Sequence, residues 1–326
     1  MSQANKTVRL LHISDLHLAK ATFSQSRGRD FWDDWLSRRN PLCKPAARSL
    51  SVAVARTAHQ YSERFDAILI TGDLATTGVR DDLDTALNFL EAAPIDGRPW
   101  MSAEDEPTLR GVGCPILLMP GNHDRYRDGF GSPGGDLFDH VFDRYWSGGQ
   151  GVHVLKFGDL LWIVACDLTL AVDEKLSRFD FPGKGKVYPQ RLERLKEETD
   201  RLRSGNPSMP VVWAIHFPPR FGRFCGDLSR SAQLELKLLE LIDEDLLIAA
   251  AREAFVSHLL CGHTHWPHFY SADDAGVFVH CAGSAMQRGP RPNTMHLVEM
   301  DIEGGQIVRF DHLGLTFDKD RGNFVF

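Results

Sequence analysis

The chain has 326 residues, 43% of them hydrophobic and 25% charged, a balance that excludes a largely disordered or fibrous protein. A formal net charge of -7 argues against bulk nucleic-acid binding, although two bound divalent cations would add about four positive charges locally and admit a small anionic substrate. No run approaches the ~20 apolar residues of a membrane span, the N-terminus has no charged leader, and the six cysteines lie far apart without a CxxC pair, so a cytoplasmic protein with free thiols is expected.

Residues 8–13 form the first apolar run, read as a buried strand, and lead into Ser14-Asp15-Leu16-His17. Residues 21–45 carry Phe23, Phe31, Trp32 and Trp35 among many charges and read as an insertion, its aromatics packing an added helix on the core rather than forming a lid. A helix is expected over 46–64, and a strand over 67–70 that ends in Thr71-Gly72-Asp73. A helix over 81–93 and a strand over 116–119 follow, the latter ending in Pro120-Gly121-Asn122-His123-Asp124. A second insertion, rich in glycine and aromatics, covers 127–151. Next come a strand over 160–166, a helix over 190–203 and a strand over 211–215 that ends in His216. A helix over 231–254 leads to a strand over 258–261 and then to Gly262-His263-Thr264-His265. Strands at 277–280, 295–301 and 306–311, joined by turns at 273–276 and 303–305, read as antiparallel structure continuing the core. The alternation predicts α/β layers, and the lack of a linker or repeat predicts one domain over 1–326.

Five of the six main apolar runs end in carboxylate, amide or imidazole groups, the place where ligands of layered α/β folds sit. A single Asp or His at a strand end is ordinary hydrogen-bonded structure. Asp15, His17, Asp73, Asn122, His123, His216, His263 and His265 at one edge would be mutually unsatisfied unless cations neutralised them. Oxygen and imidazole donors without thiolate suit Mn, Fe, Zn or Co better than Ca. Gly72, Gly121 and Gly262 each precede one of these groups, where the absence of a side chain permits a tight turn or a close backbone approach.

Asp15-x-His17, Gly72-Asp73, Gly121-Asn122-His123-Asp124, His216 and Gly262-His263-Thr264-His265 resemble, in order, the five blocks of the calcineurin-like metallophosphoesterase superfamily. The resemblance spans residues 15–265 and implies a layered αββα sandwich with two mixed β-sheets. It also implies one metal on Asp15, His17, Asp73 and His265 and a second on Asp73, Asn122, His216 and His263. Asp73 would bridge two divalent ions, with a water trapped between them as nucleophile for in-line attack on phosphorus. His123 would act on the scissile phosphate as proton donor or charge stabiliser. Asp124 would either orient the His123 imidazole or cap the turn.

Asp73 is followed by Leu-Ala-Thr-Thr-Gly and His123 by Asp124, unlike the Asp-Arg-Gly and Glu of protein Ser/Thr phosphatases. The block forms are similar to those of the cyclic-nucleotide and glycerophosphodiester phosphodiesterase branch, so a small phosphodiester is the expected substrate. Phosphomonoesters and nucleotide or lipid-linked pyrophosphates are alternatives. A DNA-repair nuclease is disfavoured by the missing basic stripe and heptads. A non-catalytic scaffold is disfavoured by the complete ligand list. Arg220, Arg223, Arg288 and Arg291 are candidate anion contacts, and solvated surface charge is the plainer reading. The first insertion and the final strands are candidate faces for a homodimer.

Overall fold

The structure is a computed structural model that describes residues 6–19, 22, 48–91, 108–127, 132–147, 151–172, 174, 183–221, 239–272, 276–286 and 292–326. The insertion proposed at 21–45 lies outside the described residues except for Thr22, as do Arg223, Arg288 and Arg291.

The first half of the chain alternates strand and helix: β1 (Lys6–Ile13), α1 (Arg48–Gln60), β2 (Ala67–Thr71), α2 (Arg80–Glu91), β3 (Ile116–Met119) and the short α3 (Leu137–Val141). Then come β4 (Val152–Phe157), β5 (Leu161–Cys166), β6 (Gly185–Lys186), α4 (Pro189–Gly205), β7 (Val211–Ile215), β8 (Leu241–Ile242), α5 (Glu244–Glu253) and β9 (His258–Cys261). The chain closes with β10 (His268–Ser271), β11 (Phe278–Cys281), β12 (Thr294–Glu303), β13 (Gln306–Asp318) and β14 (Asn323–Val325). Two six-stranded mixed sheets result, in the orders β14-β13-β12-β1-β2-β3 and β10-β11-β9-β7-β5-β4, beside a small β6–β8 pair.

Strand periodicity explains the layers. In the second sheet Ile163, Ala165, Val212, Ala214 and Leu260 face the core shared with the first sheet. Their neighbours Trp162, Val164, Val211, Trp213 and Ile215 turn the other way, onto the apolar faces of α4 and α5. The apolar stripe of α1, Leu50, Ala53, Val54 and Ala58, joins the core of the first sheet, as do Leu83, Ala86 and Phe89 of α2. The order is helix, sheet, sheet, helix. Each fully buried Val, Leu or Ile contributes about 1.5–3 kcal/mol, so the inter-sheet core is the main source of stability. Among the described residues no helix is long and apolar enough to cross a membrane.

Two expectations are corrected. The helix expected over 231–254 occupies only Glu244–Glu253 among the described residues, because Leu241 and Ile242 pair with Gly185 and Lys186 and Asp243 has φ +61°. A left-handed residue cannot continue a right-handed helix. The closing strands are not all antiparallel: β11 runs parallel to β9 in the second sheet, while β12, β13 and β14 extend the first sheet antiparallel. The turn expected at 303–305 is present, with positive φ at Gly304 and Gly305 as a tight hairpin requires. In the segment expected as a second insertion, Phe138, Phe142 and Trp146 pack into the core.

Candidate metal centre

β1, β2 and β3 are parallel in one sheet, and β5, β7 and β9 are parallel in the other. Their C-terminal ends deliver Asp15 and His17, Asp73, Asn122 and His123, His216, and His263 and His265 to one place. Of the eight non-glycine residues with positive φ among those described, five are Asp15, His17, Asp73, His263 and His265. Such backbone is costly and persists where the surroundings enforce it. Here it falls on alternate residues just past a strand end, Asp15 and His17 after β1 and His263 and His265 after β9. Gly72, at φ +99°, is required for a second reason: a Cβ there would lie 2.5 Å from His216 Nδ1. A Cβ on Gly121 would overlap the Asp73 carboxylate.

Three overlapping groups of ligand atoms lie close enough to hold a metal ion: Asp15, His17 and His265; His17, Asp73 and His123; and Asp73, His216 and His263. In the first, Asp15 Oδ1 is 3.1 Å from His265 Nε2 and 3.9 Å from His17 Nε2, and the two imidazole Nε2 atoms are 3.1 Å apart. Asp15 Oδ1 and His17 Nδ1 are buried without a well-formed hydrogen bond among the described residues. Donor atoms around one divalent ion, each about 2.0–2.2 Å from it, are spaced in this way, so the residues fit a cation. In the third group Asp73 Oδ2 lies 3.3 Å from His216 Nε2, and Asn122 Oδ1 lies 3.1 Å from the same nitrogen. Asp73 Oδ2 is also 4.0 Å from His17 Nε2 and from His123 Nε2. The carboxylate therefore stands between the two sides of the site. Distance alone does not separate His123 from the ligands.

Backbone carbonyls fix the imidazoles. His216 Nδ1 donates to Thr71 O at 2.7 Å, His123 Nδ1 to Thr76 O at 2.8 Å and His263 Nε2 to Leu239 O at 3.2 Å. A carbonyl only accepts, so the opposite ring nitrogen of each neutral imidazole carries the lone pair, as a metal ligand requires. Burial pushes the pKa values of His17 and His263 down to about 3, so both rings are neutral near pH 7. Burial opposes the ionised form of Asp73, yet His216 and His123 hold its pKa well below the ordinary value. His216 is opposite in sign: burial works against its charge, but Asp73 raises its pKa to about 9. A cation and a proton compete for that nitrogen.

Asp124 is engaged by backbone. Its carboxylate accepts from the backbone N–H of Ala75 at 2.8 Å, Gly121 at 2.9 Å and Leu74 at 3.2 Å, tying the second and third blocks together. These bonds are those of a turn-capping aspartate. Arg220 is likewise committed, to Asp245 at 2.6 Å and to the Ala272 carbonyl.

Sequence reasoning missed Asp167 and Arg125. Asp167 directly follows β5, the one main run not credited with a functional group, and its position was the available signal. It pairs with Arg125 at 2.9 Å, and Arg125 also pairs with Asp139 at 2.8 Å. This ion triad, buried at Arg125 and Asp167, joins the loop bearing Asn122 and His123 to the second sheet.

The family model for calcineurin-like phosphoesterases matches residues 8–267, and the chain belongs to that family. Among solved structures, a dimetal phosphatase from Danio rerio is 14% identical, with 95% of this chain and 99% of that chain covered and a TM-score of 0.58, a likeness of fold. GAP50, the anchor in the inner membrane complex of Plasmodium, is 12% identical over 96% of this chain and 90% of that one, with a TM-score of 0.46, too low to argue from. No curated protein matches the sequence significantly.

Proposed function

We propose that this phosphoesterase is a dinuclear metal-dependent phosphodiesterase acting on a small substrate. The observation that carries the reading is the position of Asp73, whose Oδ2 faces His17 on one side and His216 on the other. Asp15, His17, Asp73 and His265 would hold one ion and Asp73, Asn122, His216 and His263 the other, drawn from Mn, Fe, Zn or Co. When bound, two such ions supply Lewis acidity and lower the pKa of a water held between them. His123 presents Nε2 to the substrate and, once that nitrogen is protonated as the anionic substrate binds, would give the proton to the leaving oxygen or stabilise its charge.

A diester carries one negative charge where a monoester carries up to two, and it needs less cationic help from the protein. The positions after Asp73 support that preference: Leu74 and Ala75 are fully buried and bonded to Asp124, so neither offers a cation. Arg125, nearest in sequence to His123, is held by Asp139 and Asp167. β12, β13 and β14 complete the first sheet from beyond the family match, which supports reading 1–326 as one domain.

The test is hydrolysis of an aryl phosphodiester beside the matching monoester by protein loaded with Mn²⁺, Co²⁺, Fe²⁺ or Zn²⁺, with Asp73→Ala as the blank. Faster diester cleavage is expected. Faster monoester cleavage would make the protein a phosphomonoesterase, and no hydrolysis of either despite full loading would move it to pyrophosphate substrates or to a scaffold role.

A further inference from the structure

Tyr126 is 2% exposed and follows directly on the 3-10 turn His123–Arg125. Its hydroxyl oxygen lies 2.7 Å from Asn122 Nδ2 and accepts a hydrogen bond from it, while Oδ1 of the same amide faces His216 Nε2 at 3.1 Å. The Tyr126 ring also packs at 5.0 Å from that of His123. An amide presents an acceptor at one end and two donors at the other, with almost the same shape. Turning it over would aim N–H groups at the cation position and the oxygen at the tyrosine. The Asn122 side chain cannot choose between these orientations by packing alone, so its polar partners set the choice, and the one at its far end is Tyr126.

We propose that Tyr126 is a positioning residue whose hydroxyl holds the Asn122 amide with its oxygen toward His216 and Asp73, where the second cation binds. The inference rests on the dinuclear reading above. Without the hydroxyl, the buried NH₂ loses its partner and the amide no longer favours the oxygen-inward orientation. The ion must then reorient its ligand on binding. Outer partners of metal ligands commonly change affinity by about 10- to 100-fold.

Tyr126→Phe removes the hydroxyl and keeps the ring. Calorimetric titration of the metal-free protein with Mn²⁺, and separately with Zn²⁺, should show two binding steps in the wild type, one of them weakened about 10- to 100-fold in Tyr126→Phe and the other unchanged. The deciding comparison uses Asn122→Asp, whose two carboxylate oxygens are equivalent and leave no orientation to set. In that background Tyr126→Phe should cost nothing further. An equal loss in both backgrounds, which a merely structural tyrosine would give, overturns the proposal, as does an undiminished affinity in Tyr126→Phe alone. A wild-type protein that takes up fewer than two cations overturns the dinuclear reading itself and this inference with it.

Discussion

His123 donates its Nδ1–H to the Thr76 carbonyl at 2.8 Å, which leaves Nε2 directed at the site, 4.0 Å from Asp73 Oδ2. Burial lowers its pKa, so Nε2 carries no proton in the resting protein near pH 7, and a donor role requires that the ring be protonated as the anionic substrate binds. If His123 is a proton donor rather than a ligand, His123→Ala should retain both metals by elemental analysis and lose roughly 10²- to 10⁴-fold in kcat. Loss of a metal ion from that variant would instead make His123 a ligand, in the group it shares with His17 and Asp73. Asp73→Ala should lose metal and activity together, and normal metal content would contradict the bridging role. These side chains were legible because Asp, Asn and His at strand ends are conspicuous after apolar runs. The carbonyls of Thr71, Thr76 and Leu239 that set the imidazole tautomers were not, since a backbone carbonyl has no sequence signature. The backbone N–H groups that Asp124 accepts from were not legible either, for the same reason.

At the level of elements, the site depends on holding the loop after β3 against the end of β5, in a different sheet. Arg125 and Asp167 do this with side chains 6% and 3% exposed. Burial works against both charges, but each favours the other, so the Arg125 pKa is raised and that of Asp167 lowered. Removing one partner leaves the other charged and unsolvated, so Arg125→Met should cost about 3–5 kcal/mol. Urea unfolding measures it, and a loss below about 1 kcal/mol would mean that water or Arg191, 3.7 Å from Asp167, replaces the missing partner. Gly121 offers a sharper test of the same junction. A Cβ there meets the Asp73 carboxylate and lies 2.8 Å from His216 Nε2, so Gly121→Ala should empty the metal centre while the strands persist by circular dichroism. The main strands could be read from sequence because each is an unbroken apolar run. Their partners could not: the pairing of β11 with β9 and of β8 with β6 is decided by tertiary packing.

Across the whole molecule, the two sheets enclose a second set of histidines apart from the metal centre, supplied by five strands and invisible in the motif pattern. His296 and His312 stack with ring centroids 4.0 Å apart, His312 lies 5.7 Å from His280, and His258 Nδ1 is 3.0 Å from His280 Nε2. His12 links the set to the site through Thr71 Oγ1 at 2.9 Å, Thr71 being the residue whose carbonyl accepts from His216. Among these rings His296 is 4% exposed and neither of its nitrogens has a hydrogen-bond partner among the described residues. Burial pushes its pKa from 6.5 to about 4. Below 6.5 the unfolded chain takes up a proton at this ring and the folded protein does not, so stability present above pH 6.5 is lost as pH falls toward 4, by on the order of 3 kcal/mol in full. Protonating one ring also disfavours charge on the next, which reinforces acid sensitivity. His296→Leu should therefore gain stability over the wild type progressively between pH 6.5 and 4, with a constant difference above pH 7. Urea midpoints of both metal-free proteins at pH 8, 6 and 5 provide the measurement, the metal ligands being common to the two. Parallel midpoints at all three values would mean that His296 is protonated alike in the folded and unfolded chains, and that burial between the sheets does not hold it neutral.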